Sequence, residues 1–100
     1  MLRVTGHFPT QNASKYLQQL CKHFAHKVTV EFDETHGTCT MMSGPAELWA
    51  DAQGLTATVT APDAESLPRA KGVIDHHLVT FAHREGFSTM TWAEPEVIAG

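Results

Sequence analysis

Apolar residues fall into two rhythms along this chain of 100 residues, and each rhythm predicts a different element. Leu2 and Val4 alternate with polar neighbours as a short strand does, ended by His7-Phe8-Pro9. Ala13, Tyr16, Leu17, Leu20, Cys21 and Phe24 then recur at the three-and-four spacing of one helical face. Asn12 is placed to cap that helix, and Lys15, Gln18, Gln19, Lys22 and His26 form its polar side. From Val28 the period becomes two: Val28, Val30 and Phe32 face one way, Thr29 and Glu31 the other.

Asp33 to Gly37 supplies turn chemistry, Thr38 to Met42 a second strand, and Ser43-Gly44-Pro45 another turn. Leu48-Trp49-Ala50 predicts a third strand of this run, Gln53-Gly54 a tight turn, and Leu55, Ala57, Val59 and Ala61 a fourth. A second helix is expected from Ser66 or Leu67, with Asp63 as its cap and Pro68 confined to its first turn. Leu67, Ala70, Ile74, His77, Leu78 and Phe81 make its apolar stripe, and Gly86 its end. Phe87, Met90 and Trp92 suggest a last strand, followed by a loose tail over 93–100.

The order β-α-β-β-β-β-α-β predicts an α+β two-layer sandwich in which two helices cover one face of a mostly antiparallel sheet. A repeat reinforces this reading. Phe24-Ala25-His26-Lys27 recurs as Phe81-Ala82-His83-Arg84, and upstream Val4-Thr5 with Pro9 is echoed by Val59-Thr60 with Pro62. An internal pseudo-two-fold, with each half giving a strand into a helix and a strand out of it, is the expectation.

A chain of this length makes one domain, 1–100, with a single core shared by both halves. The formal charge of -4 argues against nucleic acid as a partner, and no stretch reads as a secretory signal or a membrane span. The expectation is a cytoplasmic protein with Cys21 and Cys39 as reduced thiols. Seven histidines are the compositional anomaly, since their protonation would reverse the sign of the net charge below pH ~6.5.

On the helical wheel His23 and His77 lie on matching flanks of the two apolar stripes. Side-by-side helices would bring both imidazoles near the helix-sheet boundary, either as a ligand or metal pocket or as hydrogen-bonded groups of a core edge. His23 and His26 are the metal-ligand candidates, although Cys21 projects away from His26 and no Cys-x-x-Cys completes a four-ligand set. Neither an activated nucleophile nor a carboxylate pair suited to acid-base work is recognisable, so a non-enzymatic role is expected and no cofactor is assigned. Trp49 and Trp92 are expected to close the core; the alternative is that one of them, with Met41 or Met42, lines a binding face on the uncovered side of the sheet, and an apolar face there would favour a homodimer. Lys27 and Arg84 suit the negative ends of the two helix dipoles.

The run Tyr16-Leu17-x-x-Leu20-Cys21-Lys22-His23-Phe24-Ala25-His26-Lys27, with the later His77-Leu78-x-x-Phe81-Ala82-x-Arg84-Glu85 and Trp92, resembles the bacterial family known as domain of unknown function 2218. Pro68 and Gly72 depart from the smoother second helix of that pattern. The resemblance implies an association with flavin-dependent siderophore-interacting reductases, hence with iron uptake, and no catalytic role for any residue. The resulting expectation is an accessory domain that binds a small ligand, with His23, His77, Lys27, Arg84 and Trp92 as candidate binding residues. A homodimeric structural domain without a ligand is the alternative.

Overall fold

Residues 1–42 and 44–98 are described by the computed structural model, so Ser43 and the last two residues of the expected tail lie outside the described residues. Strand β1 (Leu2–Phe8) leads to helix α1 (Ala13–Phe24). A meander follows: β2 (Val30–Phe32), β3 (His36–Met41), β4 (Gly44–Asp51) and β5 (Gly54–Ala61). Helix α2 (Leu67–Phe81), a 3-10 turn (His83–Glu85), β6 (Thr91–Trp92) and β7 (Glu96–Val97) complete the chain. The sheet runs β2-β3-β4-β5-β1-β6, with every pairing antiparallel, and β7 also pairs with β1.

Both helices pack on one face of the sheet, as the apolar stripes require. Period-two alternation sends Val4, Cys39, Ala46, Leu48, Leu55, Ala57 and Val59 into the core, where they meet Leu17, Leu20, Ile74 and Leu78 from the helices. Each fully buried leucine contributes roughly 1.5–3 kcal/mol of apolar transfer. The outward positions carry Thr5, Thr56, Thr58 and Trp49 instead, so the uncovered face is threonine-rich rather than broadly apolar. Among the described residues no helix is long and apolar enough to cross a membrane.

Several boundaries differ from the periodicity, each for a local reason. Gly44 and Pro45 belong to β4 rather than to a turn, because β3 and β4 stay in register up to Met41↔Gly44. Residues 93–100 are not a loose tail throughout: Leu2↔Val97 and Arg3↔Glu96 pair, and the Ile98 N–H donates to the Met1 carbonyl. Asn12 stands at the start of α1 without capping it through its side chain. Ser66, not Asp63, occupies the cap position of α2; Asp63 Oδ1 accepts from the Ser66 N–H one turn earlier. Pro68 lies in the first turn, where its missing N–H would have had no helical partner.

The sequence echo does not extend to the sheet. Equivalent halves would place the strand after α1 and the strand after α2 at matching positions about the β1–β5 pair. Instead β2 lies at the far edge beyond β3 and β4, whereas β6 pairs directly with β1. What the duplicated motif marks is a common way of ending a helix, with Phe24 and Phe81 the final residues of α1 and α2.

Candidate functional site

The stripe that buries Phe24 fixes where its neighbour goes, because one residue earlier on a helix is about 100° round the axis. His23 is thereby turned out of the core toward α2, where it meets His77 with ring centroids 4.4 Å apart and planes inclined by 50°. Aromatic walls flank the pair. Phe24 stands edge-on to His77 at 5.3 Å, and the Phe81 ring lies 6.3 Å from His23 and 6.4 Å from His77. His23 is exposed, while His77 is half-buried.

One hydrogen bond decides the chemistry of His77. Its Nδ1 lies 2.6 Å from the Val73 carbonyl, which can only accept, so Nδ1 carries the proton and donates. In the neutral ring the lone pair is consequently on Nε2. His23 is held below the usual imidazole range by the water it loses against its neighbours and then by the charges of His77, His26 and Lys27. Its ring therefore stays neutral at pH 7, so it too offers a lone pair rather than a charge.

The remaining candidates do not converge equally. His26 and Lys27 lie close enough to His23 to depress its protonation, and both are exposed just beyond α1. Arg84 is exposed in the 3-10 turn, with no described contact to the imidazoles. Trp92 belongs to a different arrangement, donating its Nε1–H to Asp75 Oδ2 at 2.9 Å beside β1. Among the described residues no group of three or more His, Cys, Asp and Glu side chains is placed to hold a metal ion. His23 and His77 are thus at most a two-point site, and any ion on them must bring its other ligands along.

Comparison with known proteins agrees with this picture of fold and family. Residues 5–93 match a family described as an uncharacterized protein conserved in bacteria, DUF2218. The chain belongs to this family. It is also similar to PA4090 from Pseudomonas aeruginosa, solved by NMR, at 31% identity and a TM-score of 0.78, over 97% of this chain and 100% of that one. No curated protein matches.

Two acidic hubs of this DUF2218 member escape sequence reasoning. Asp75 accepts from Thr89 Oγ1 (2.6 Å), the Met90 N–H (2.9 Å) and Trp92 Nε1, tying the chain after α2 back onto that helix. Glu85 accepts from Thr10 Oγ1 (2.7 Å), Asn12 Nδ2 (3.1 Å) and the Tyr16 hydroxyl, which explains why Asn12 does not cap α1. The Tyr16 bond first, then those of Thr10 and Asn12, hold the Glu85 carboxyl below the usual carboxylate range. Burial and the Glu85 charge push the Tyr16 phenol up to about 12. Both hubs join segments distant in sequence, so no local spacing announces them.

Proposed function

We propose that this chain is a non-catalytic accessory domain that receives a small iron-bearing ligand at His23 and His77, in association with a siderophore-interacting flavin reductase. The observation that carries the reading is the 4.4 Å contact between the two rings. Imidazoles that share one ion through metal–nitrogen bonds of ~2.0–2.1 Å bring their ring centres about 4.5 Å apart when cis at a right angle. The separation of 4.4 Å is close to that value.

Imidazole is a borderline donor suited to ferrous iron, whereas a hexadentate ferric chelate leaves it no coordination position. The ion that fits is therefore the one present after reduction, when its oxygen ligands loosen and two nitrogens can displace some of them. The half-buried Phe81 supplies an apolar wall for the organic part of a chelate, and Lys27 a cation beside it. No residue here needs to change the ligand covalently, which is why the role is accessory.

The test is thermal unfolding of the untagged protein with ferrous iron under anaerobic conditions, and with zinc and nickel as redox-inert probes. Binding to the native state raises the midpoint in proportion to the logarithm of metal concentration. The rise is expected to vanish in His23→Ala and in His77→Ala. An absent rise, or one that survives both substitutions, refutes the site.

A further inference from the structure

The threonine-rich face of the sheet, opposite the helices and independent of the imidazole pair, holds a groove of about 370 Å³. That size falls within the ~300–1,000 Å³ typical of small-molecule sites. β1, β4 and β5 form its floor through Thr5, Glu47, Trp49, Thr58 and Thr60, because alternation turns these positions away from the core.

Three observations define what the groove can hold. Trp49 is a large apolar side chain left 38% exposed, with its ring 5.5 Å from that of His36. Such an indole, partly exposed on a threonine-rich sheet face, favours a flat ligand edged with C–H groups. Thr60, only 5% exposed, brings a third hydroxyl-bearing side chain to the lining. Thr5 and Thr58 share a single bond between their hydroxyls at 3.3 Å, which leaves each with capacity to spare. Among the charged groups, Arg3 lies 3.7 Å from Glu96, and the Glu47 carboxylate 2.9 Å from His36 Nε2, a charge pair only when that ring is protonated.

The Arg3 charge is offset by Glu96, and hydroxyls that both donate and accept complement other hydroxyls. From these features we infer that the groove is a binding site for a neutral, hydroxyl-rich ring, a pyranose sugar, stacked on Trp49 and hydrogen bonded to Thr5, Thr58 and Thr60. The carboxylate of Glu47 adds an acceptor for a vicinal diol at the same end as the indole.

Amide NMR spectra recorded during titration with glucose, galactose, mannose and N-acetylglucosamine, as free sugars and as their short oligomers, test the assignment. At least one sugar should move the amides of Thr5, Thr58 and Thr60 and the indole resonance of Trp49, leaving the Trp92 indole in place as an internal control. Trp49→Ala should weaken binding about tenfold or more. Thr60→Val, which keeps the shape and removes the hydroxyl, should weaken it with an unchanged spectrum elsewhere. A preference for the oligomer identifies a glycan as the source, and equal affinity identifies the free sugar. Silence at these residues with every sugar overturns the inference, as does a response that persists in Trp49→Ala while the Trp92 resonance reports a native fold.

Discussion

The indole N–H of Trp92 donates to Asp75 Oδ2 at 2.9 Å, and the same ring covers Gly6 on β1 so closely that a Cβ there would lie 2.7 Å from it. One carboxylate on α2 thereby locks β6 to the sheet. Asp75→Ala leaves the Met90 N–H and the indole N–H without their acceptor, at a cost of about 2–3 kcal/mol. Gly6→Ala displaces the ring by sterics alone. Urea unfolding should show both losses, and Trp92 emission should shift to longer wavelength in each; a variant of Asp75 as stable as the parent contradicts the lock.

The bond between Tyr16 and Glu85 gives stability a dependence on pH from both ends. Glu85 titrates lower in the fold than in the unfolded chain, so its contribution is complete above the unfolded carboxyl value of ~4.3 and is lost as pH falls through the folded one. Asp33 and Asp63 are depressed by backbone hydrogen bonds from Thr35 and Ser66 and act in the same direction. Tyr16 titrates higher, so its contribution is complete below pH ~10 and fades as pH rises toward about 12. Tyr16→Phe should cost about 1 kcal/mol at neutral pH and shrink the alkaline decline to the part that the raised Cys21 thiol contributes, whereas Glu85→Gln should blunt the acid one. Denaturation midpoints measured across pH decide the matter.

For His23 the sign follows from a lowered imidazole value. The unfolded chain binds this proton more readily, so the His23 contribution is complete above pH ~6.5 and is lost as pH falls from there through the folded value. Replacing His77 with glutamine removes one of the causes, so the His23 titration followed by NMR should move upward. No movement would mean that the two rings do not sense each other in solution.

Much of this arrangement was legible in the residues. Three-and-four spacing located Ala13 to Phe24 and Leu67 to Phe81, alternation located Leu55 to Ala61, and the wheel put His23 and His77 on flanks that the fold does bring together. What the pattern could not give depends on partners far along the chain. β7 is a two-residue strand whose side chains are exposed, so its pairing leaves no apolar alternation to read. Glu85 draws donors from Thr10, Asn12 and Tyr16, more than sixty residues earlier, and Asp75 looks like any polar helix position until the chain returns at Thr89. Trp49 was legible as a candidate for the uncovered face, but the groove beside it was not, because it needs β1 and β5 to be neighbours.

Inside the core, Cys21 on α1 and Cys39 on β3 are fully buried free thiols. Interaction with the Cys39 thiol and burial push the Cys21 thiol up, so it stays protonated and unreactive at neutral pH. A maleimide reagent should then label Cys21 only through opening of the fold, with a rate that climbs with urea in step with global unfolding. Gly37 sets the spacing on the β3 side. A Cβ at that position would lie 2.6 Å from Cys21 Sγ and 3.2 Å from the Phe32 Cβ, which leaves the added methyl no room. Gly37→Ala should accordingly destabilise the fold by about 1–3 kcal/mol and speed labelling in proportion. Rapid labelling of the parent protein in the absence of urea would show that the thiol pair is reached without unfolding, contrary to the packing of α1 on β3.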